Sequence, residues 1–438
     1  MFNWRKPTIC FLSWLEGSKR MKYFKKILEY EKMSKEEIEK LQKEKLKNLL
    51  LHSYENVPYY SRVLKDVGVV KDGRVYLENF NKIPILTKEI IRKEGDNLYS
   101  KDHKKRKSYE NTSGGSTGEP VKFLQDREYD DWNVATKMYY FNKYGKQVGE
   151  REIKLWGSDR DILEGNLTLK DRVINFVYNR KFFNCYDFSE EKIKELIDLH
   201  NSFKPVSYWA YVDGVYEFSK YILENKINLY TPKFIISTIG PLYEENRKVI
   251  EGAFGCKVYN QYGSREMGGI GLEGKNRNLD ISFWRHLLEL DGDSEEKRIL
   301  ITCMDNYSMP LIRYDIGDVA TEGNKSYELG GIKIYLTVGQ VVGRTLGFFK
   351  KRDGSLKHSH FLVQMLFFRD WIEKFQAVQK SFNTILIKVE GKENKEEMKE
   401  IEEKIRVLVG EEFNIKWKFV DNIESTKSGK YLYTVCEV

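Results

Sequence analysis

Residues 234–266 read FIISTIGPLYEENRKVIEGAFGCKVYNQYGSRE, and this stretch indicates the architecture of the chain. Its first four residues are a short apolar run, which predicts a buried strand. A helix is predicted over 242–254 and ends at Gly255, and residues 257–259 form a second predicted strand directly after it. Alternation of strand and helix predicts an α/β fold with a largely parallel sheet, in which ligands bind beyond the carboxyl ends of the strands.

The same alternation extends in both directions along the chain. Towards the N-terminus, the pattern predicts helices over 34–54, with a capping box of Ser34 and Glu37, and over 126–144, a strand over 153–157, and helices beginning at Ser189 and Asp213. Towards the C-terminus, it predicts strands over 299–302, 311–314, 384–389 and 414–420, and a helix over 394–409 that ends at Gly410. We therefore predict two domains, 1–343 and 344–438, the second a small α+β domain joined to the first by a hinge.

The composition is that of a globular protein. Of the 438 residues, 41% are hydrophobic and 32% are charged, which argues against a disordered chain and allows two or three domains. The charges are interspersed and sum to only +8, so we expect a solvated surface and no nucleic-acid partner. The five cysteines have no paired spacing, which predicts neither a disulfide framework nor a zinc site and favours a cytoplasmic location.

The N-terminal region contains one apolar stretch, residues 9–15. It is far shorter than the ~20 residues that a membrane-spanning helix needs. We expect it to pack on the protein body, and peripheral contact with a membrane is also compatible with it. The sequence gives no indication of the oligomeric state.

Residues 111–120 read NTSGGSTGEP and form the first segment that could carry chemistry. Its three glycines allow the backbone to approach a ligand closely, and its hydroxyl and N–H groups could hold phosphate oxygens. It is not a Walker loop, because it lacks the closing Gly-Lys-Ser/Thr. The alternative interpretation is a surface turn. We call residues 111–120 the Gly-rich segment.

The second segment, residues 260–266, directly follows the predicted strand at 257–259. Tyr262 could stack on a base, and Glu266 could hold Mg²⁺ through its carboxylate oxygens. The alternative is a tight turn with a salt-bridged surface glutamate.

Two further segments lie towards the C-terminus. Residues 309–318 read MPLIRYDIGD, and Asp318 on a predicted glycine turn could accept hydrogen bonds from ribose hydroxyls; an aspartate is otherwise an ordinary turn former. Residues 425–430 read STKSGK, and Lys430 could reach a reacting phosphate and carboxylate as a point charge; the alternative is a polar turn.

In this order and spacing, the four segments resemble the acyl- and aryl-CoA synthetase superfamily of adenylate-forming enzymes. The branch that is similar is that of the phenylacetate–coenzyme A ligases and the CapK-like capsular polysaccharide proteins, whose N-terminal signatures resemble residues 49–61 and 83–88. The resemblance implies an α/β fold with a large multi-sheet adenylation domain and a small, mobile C-terminal α+β domain.

The resemblance also implies roles for individual residues. It places the phosphate-binding loop on Gly114, Gly115, Ser116, Thr117 and Gly118, the adenine-lining backbone on Thr238, Ile239 and Gly240, and the adenine-stacking position on Tyr262 with the adjacent Gly263. It places the ribose-binding aspartate on Asp318, the hinge arginine on Arg344, the Mg²⁺ site on Glu266, and catalytic roles on Thr117, Glu266 and Lys430. Arg265 departs from the family, which usually has serine or threonine there.

The function implied is ATP-dependent activation of a carboxylic acid as its acyl-AMP, with ATP and Mg²⁺ as cofactors. The acyl group would pass to a thiol, of coenzyme A or a carrier protein, or to an amine, and surface-polysaccharide biosynthesis is a reasonable setting. The aromatic-rich stretch 208–211 has two interpretations. It lines an acyl pocket that accepts an apolar or aromatic acid, or it belongs to the core.

Two alternatives stay open. One is a non-catalytic nucleotide- or acyl-binding protein on the same fold. The other is a kinase or nucleotidyltransferase, against which the missing Walker lysine and paired-aspartate motif argue. His358 and His360 lack an evident third ligand, so a surface strand is favoured over a metal site there.

Overall fold

The computed structural model describes residues 3–112, 121–156, 169–184, 190–344, 348–350, 356–358, 362, 365–366, 369–423 and 433–438. These residues form two compact units. The first unit contains the described residues up to Ile316 together with Ala320–Val341, and the second contains those after Val341, with Gly317–Val319 grouped with it.

Ten α-helices are described in the first unit: α1 Arg5–Leu15, α2 Arg20–Tyr30, α3 Lys35–Asn56, α4 Pro58–Asp66, α5 Lys88–Glu94, α6 Arg127–Lys143, α7 Leu169–Val177, α8 Glu190–Phe203, α9 Val212–Glu224 and α10 Glu244–Phe254. Short 3-10 helices cover Leu77–Lys82 and Gly95–Leu98. Local chemistry sets several of their ends. Both hydrogen bonds of the capping box join Ser34 and Glu37 at the start of α3, and α10 ends where Gly255 adopts a φ of +65°.

The strands up to Arg344 are β1 Val70–Lys71, β2 Arg74–Val75, β3 Tyr109–Thr112, β4 Lys122–Gln125, β5 Glu152–Trp156, β6 Arg180–Asn184, β7 Ser207–Tyr211, β8 Phe234–Thr238, β9 Lys257–Ser264, β10 Gly268–Glu273, β11 Leu279–Ile281, β12 His286–Asp291, β13 Lys297–Cys303, β14 Tyr314–Glu322, β15 Ser326–Leu329, β16 Ile332–Tyr335 and β17 Thr337–Arg344. Strands β1 and β2 pair with each other, as do β3 and β4. The other thirteen form one sheet in the order β15-β16-β12-β13-β14-β17-β11-β10-β9-β8-β7-β5-β6.

This sheet has a parallel part and an antiparallel part that meet at β9. Strands β6, β5, β7, β8 and β9 are parallel neighbours, whereas β9 and β10 run antiparallel. Side chains on the two faces of the parallel strands enter separate hydrophobic clusters. Tyr208 and Ile235 face a cluster that includes Phe218 of α9, and Trp209 and Ile236 face a cluster that includes Phe141 of α6. Burial on both faces is what a helix-covered parallel sheet requires.

The second unit is a small α+β structure. It contains a hairpin of β18 Phe348–Lys350 and β19 Leu356–His358, and a four-stranded sheet in the order β22-β21-β20-β23. Those four strands are β20 Ile372–Ser381, β21 Thr384–Gly391, β22 Asn414–Phe419 and β23 Thr434–Cys436. Helix α11, Lys395–Val409, connects the parallel strands β21 and β22 and buries Ile401 and Ile405.

The predicted α/β class, with its large sheet and small C-terminal α+β part, is confirmed. Two predicted elements are present with different bounds: the strand predicted over 257–259 continues to Ser264, and the helix predicted to begin at Asp213 begins at Val212. The strand predicted over 311–314 is wrong, because residues 311–313 precede β14. Ser189, predicted as a cap, lies outside the described residues.

A buried ionic cluster connects β5 to β6. Glu152 is 1% exposed, its Oε1 accepts a hydrogen bond from Arg180 Nε at 2.6 Å, and its Oε2 accepts one from Lys146 Nζ. Burial alone would raise the pKa of Glu152, but Arg180 and Lys146 outweigh it and lower this pKa from 4.5 to about 2. Because the folded pKa lies below the unfolded one, the cluster stabilises fully above pH 4.5 and loses this contribution as the pH falls towards 2.

We therefore expect Glu152→Gln to lower the free energy of unfolding of the first unit by on the order of 3 kcal/mol at pH 7. Urea unfolding followed by tryptophan fluorescence would measure the difference from wild type at neutral pH and again at acidic pH, where it should shrink. Glu195→Gln on the exposed face of α8 is the matched control and should follow wild type at both values. A Glu152→Gln difference that stays constant with pH would contradict the assigned cause.

Candidate active site

The two ends of the Gly-rich segment lie side by side. Thr112 ends β3 and Lys122 begins β4, and the two residues are partners in the antiparallel β3–β4 ladder. The loop between them therefore starts and finishes at one place on the first unit. Gly114, Gly115, Ser116, Thr117 and Gly118 lie outside the described residues, so their phosphate-binding role stays a prediction.

Glu266 lies on the tight turn between β9 and β10, residues 265–267, which we call the Glu266 turn. Ser264 and Gly268 are paired across it, Met267 N donates to Ser264 Oγ at 3.1 Å, and Gly268 adopts a φ of +71°. A three-residue connection that closes on a left-handed glycine is a common hairpin turn. Sequence reasoning was wrong to place residues 260–264 after the strand, since they are its last five residues.

The Glu266 carboxylate is buried, with 8% of the residue exposed. Tyr314 Oη donates to its Oε1 at a long 3.5 Å, and within the described ranges no Lys, Arg or His forms an ion pair with it. The alternative of a salt-bridged surface glutamate therefore does not hold for this part of the chain. A buried carboxylate without a compensating cation is a fitting ligand for a hard divalent metal such as Mg²⁺.

Hydrogen bonds connect the β3–β4 hairpin to the Glu266 turn. Arg265 Nη1 donates to the carbonyl of Thr112 at 3.5 Å, at the entrance to the Gly-rich segment. Gln125 Nε2 on β4 donates to the carbonyls of Arg265 at 2.8 Å and Glu266 at 3.3 Å. The first unit thus holds the base of the predicted phosphate loop against the turn that carries the predicted metal ligand.

A buried polar group lies beneath this turn, and sequence reasoning did not find it. Asn133 Oδ1 on α6 accepts hydrogen bonds from Gly269 N and from Arg285 Nη1, both at 3.1 Å. Arg285 is fully buried, and its Nε and Nη2 donate to Asp305, which is 2% exposed. The available signal was a charged residue inside the apolar run Phe283-Trp284-Arg285-His286-Leu287-Leu288, where a buried arginine needs an acidic partner.

The end of β8 lies beside β9. Ser237 pairs in parallel with Asn260, so Thr238 and Tyr262 emerge from neighbouring strands towards the same edge of the sheet. Thr238 is buried, Tyr262 is half-buried, and Ile239 is 44% exposed with a φ of +61°. Left-handed backbone is costly for a β-branched residue, and such strain is concentrated at binding and catalytic sites.

Gly240 and Gly263 have different surroundings. A Cβ at Gly240 would meet Val212 at an ordinary 3.5 Å, whereas one at Gly263 would meet Gly268 O at 2.4 Å. The β9–β10 ladder itself therefore requires glycine at 263, without any reference to a nucleotide.

Asp318 lies within β14, so its predicted place on a turn after a strand is wrong. Gly317 before it has a φ of +80°, which is an irregularity inside the strand, and Asp318 is buried with 8% exposed. Arg344 is the last residue of β17, and Lys430 lies outside the described residues. The roles of Asp318, Arg344 and Lys430 at a common site stay predictions.

The aromatic segment 208–211 belongs to β7, whose side chains alternate between the two cores. Tyr208 hydrogen-bonds His200 in one core through a 2.6 Å contact between Oη and Nδ1. Trp209, in the other core, lies 4.9 Å from Trp156 between ring centroids. Tyr208 and Trp209 are both buried, so this segment is at least in part ordinary core.

Two lysines lie against the Trp209 ring. Lys137 Nζ on α6 and Lys154 Nζ on β5 are 5.2 and 5.0 Å from its centroid. Burial, followed by Arg285 and Arg180, lowers the pKa of Lys137 to about 8. The amino groups of two lysines therefore border the Trp209 ring.

The chain is similar in sequence to several known proteins. Residues 350–437 match the family model described as the CapK C-terminal domain. Protein CapK from Staphylococcus aureus is 26% identical over 395 residues, covering 87% of this chain and 85% of that protein. The resemblance predicted from the sequence is confirmed. A phenylacetate–coenzyme A ligase from Thermus thermophilus is 21% identical over 348 residues, covering 72% of each protein.

Among solved structures, a 2-hydroxyisobutyryl-CoA ligase in the postadenylation state, in complex with R3-HIB-AMP, has a similar fold. Its TM-score is 0.63 at 17% identity, and the match covers 93% of this chain and 90% of that one. The chain therefore has the fold of the adenylate-forming ligases.

The described residues lack two kinds of feature. They contain no helix long and apolar enough to cross a membrane. They also contain no group of three or more His, Cys, Asp and Glu side chains placed to hold a metal ion. His358 lies on β19, and His360 falls outside the described ranges.

Proposed function

We propose that this protein is an adenylate-forming ligase that uses ATP and Mg²⁺ to activate a carboxylic acid. The observation that carries the proposal is a set of three hydrogen bonds. Arg265 donates to the carbonyl of Thr112, and Gln125 donates to two carbonyls of the Glu266 turn. They join the base of the Gly-rich segment to a buried carboxylate, Glu266, that forms no ion pair with any described residue and lies near the carboxyl ends of β8 and β9. The sequence similarity to CapK and to a phenylacetate–coenzyme A ligase supports this reaction class. The similar fold of 2-hydroxyisobutyryl-CoA ligase supports it as well.

In the proposed reaction, an oxygen of the substrate carboxylate attacks the α-phosphorus of ATP. The bond from that phosphorus to the bridging oxygen breaks, pyrophosphate leaves with the electron pair, and the acid becomes a mixed anhydride with AMP. Mg²⁺ would neutralise charge on the phosphate oxygens. Glu266 would hold the metal, the N–H groups of Gly114–Gly118 would bind phosphate oxygens, and Lys430 would stabilise the charge that develops in the transition state.

Nucleotide recognition would use the neighbouring strand ends. Tyr262 would stack on the adenine, with the backbone of Thr238, Ile239 and Gly240 lining it, and Asp318 would accept hydrogen bonds from the ribose. Arg344 would contact the nucleotide from the end of β17.

We further propose that the acid binds near Tyr211 and Trp156, whose rings lie 4.4 Å apart beside Trp209, and that it has an apolar or aromatic body. The activated acyl group would pass to a thiol, including that of coenzyme A, or to an amine. The likeness to CapK supports surface-polysaccharide biosynthesis as the setting.

Release of pyrophosphate tests the proposal. The full-length protein is incubated with Mg²⁺-ATP and a library of carboxylic acids, with hydroxylamine present to trap any acyl-adenylate as a hydroxamate. We expect pyrophosphate release that depends on one class of acid. Glu266→Gln should lower its rate on the order of 10²–10³-fold, while Glu245→Gln, an exposed glutamate on α10, should leave it unchanged.

The other outcomes separate the alternatives. Binding of ATP without acid-dependent pyrophosphate release would support a non-catalytic binding protein. Release of ADP would indicate a kinase, and acid-independent pyrophosphate release a nucleotidyltransferase. Each of these three results would overturn the proposal.

A further inference from the structure

Exposed large hydrophobic residues are concentrated on and beside helices α1 and α7. Thirteen large hydrophobic residues are exposed in the described ranges. Eight of them lie on these two helices or, in the case of Trp4, immediately before α1: Trp4, Phe11, Leu12, Trp14, Leu15, Val173, Ile174 and Phe176. We call these eight residues the aromatic patch. Exposed apolar residues are ordinary when scattered, but a concentration on two adjoining helices indicates an interaction surface.

The two helices meet, so the patch is continuous at their junction. The rings of Trp4 and Phe176 lie 6.2 Å apart, and Arg5 Nε donates to the carbonyl of Phe176 at 3.3 Å. The Arg5 guanidinium lies 4.5 Å from the Trp4 ring and 5.3 Å from the Phe176 ring. An arginine therefore lies between two exposed aromatic rings.

One side of helix α1 packs on the described protein body. Ile9 and Ser13 are buried, and Asn3 Nδ2 donates to Val148 O at 2.8 Å. Trp14 is 72% exposed and stacks with Phe11 at 6.0 Å between centroids. The expectation that the apolar stretch 9–15 packs on the protein body thus holds for its buried side but not for its aromatic side.

The chain segment that carries α1 and the start of α2 is basic. Within residues 3–26, the chain has Arg5, Lys6, Lys19, Arg20, Lys22, Lys25 and Lys26 against a single acidic residue, Glu16. Lys6, Lys22 and Lys25 are exposed, as is Arg172 on α7, and none of these four forms an ion pair with an acidic side chain of the described chain. Tryptophan and phenylalanine next to unpaired cations are the composition of a surface that inserts at the headgroup level of an anionic bilayer.

We propose that the aromatic patch docks this protein on the surface of a membrane that contains anionic lipids. The aromatic rings insert at the level of the headgroups, and the surrounding lysines and arginines contact lipid phosphates. Docking of a second copy through the same face is a poor alternative. It would bring the positive charges of Arg5 and Lys6 close to those of the same residues in the other copy. The proposal is independent of the chemistry that the protein performs.

Co-sedimentation of the full-length protein with vesicles tests this surface. Vesicles of phosphatidylcholine mixed with phosphatidylglycerol should bind the protein, and vesicles of phosphatidylcholine alone should bind it much less. The double variant F11S/W14S should bind the mixed vesicles at least about tenfold more weakly. The double variant K6E/K22E should bind the mixed vesicles more weakly than wild type, by at least about fivefold for each lysine replaced.

Phe382→Ser is the matched control, because Phe382 is 43% exposed in the second unit, outside the patch. It should sediment like wild type, and the thermal midpoints of all variants should agree with wild type. Equal vesicle binding by F11S/W14S and wild type would overturn the proposal, as would absence of binding to either vesicle. A wild-type dimer in size-exclusion chromatography that F11S/W14S abolishes, without vesicle binding, would assign the patch to a second copy instead.

Discussion

Replacing Lys430 by alanine should lower the rate of acyl-adenylate formation on the order of 10²–10³-fold without unfolding the protein. A lysine on a glycine-containing loop can place a point charge beside the α-phosphate and the attacking carboxylate as negative charge develops there. That charge is needed in the transition state more than in the ground state, so its removal should affect the rate more than the binding of ATP. Carboxylate-dependent exchange of pyrophosphate into ATP would measure the rate, and calorimetry would measure the dissociation constant of Mg²⁺-ATP.

Lys427→Ala provides the control, because Lys427 lies three positions earlier in the same segment, STKSGK. It removes an equal charge at nearly the same place, so general effects of charge and loop composition should appear in both variants. We expect Lys427→Ala to keep most of the exchange activity. Full exchange in a folded Lys430→Ala protein, or equal losses in both variants, would refute the assignment of Lys430 to the reaction.

Elements with strong local signals were predicted well. The start of α3 depends on a capping box within four residues, the end of α10 on one glycine, and α11 lies between the cap Asn394 and Gly410. In each case the energetic preference is contained in a few adjacent residues, so it can be recognised without knowing the fold.

Two wrong predictions near the candidate site, the loop at 260–264 and the turn at 317–318, arise because contacts distant in sequence outweigh local preference. Residues 260–264 read NQYGS, which by local propensity form a loop, and Gly317-Asp318 likewise favour a turn. In the structure, partners distant in sequence override these preferences: β9 is held by β8 and β10, and β14 lies between β13 and β17. Strand pairing of this kind leaves no trace in a window of a few residues.

The candidate site shows the same division. Glu266 and the Gly-rich segment could be found from the sequence because they are compact motifs. Their supports could not, because Arg265 reaches Thr112 across 153 positions and Gln125 reaches Arg265 across 140. Arg265 was noted only as a departure from the family, yet it makes the contact between the turn and the loop base.

The second large effect is expected at Arg285, the fully buried arginine beneath the Glu266 turn. Arg285→Met should destabilise the first unit by about 3–5 kcal/mol, because it leaves the buried Asp305 without its cationic partner. The variant Arg285→Met/Asp305→Leu should recover much of that loss, since it removes both charges and keeps apolar volume. Urea unfolding followed by tryptophan fluorescence would give the free energy of unfolding of wild type and of the two variants.

Arg298→Met is the control for loss of an arginine from a less buried ion pair. The side chains of Arg298 and its partner Asp291 are 39% and 43% exposed, so this change should cost no more than about 1 kcal/mol. Arg285 and the backbone N–H of Gly269 both donate to the side-chain oxygen Oδ1 of Asn133. Loss of Arg285 should therefore slow adenylation even where the variant stays folded. If Arg285→Met matched Arg298→Met in both stability and rate, the buried pair could not be what holds the Glu266 turn in place.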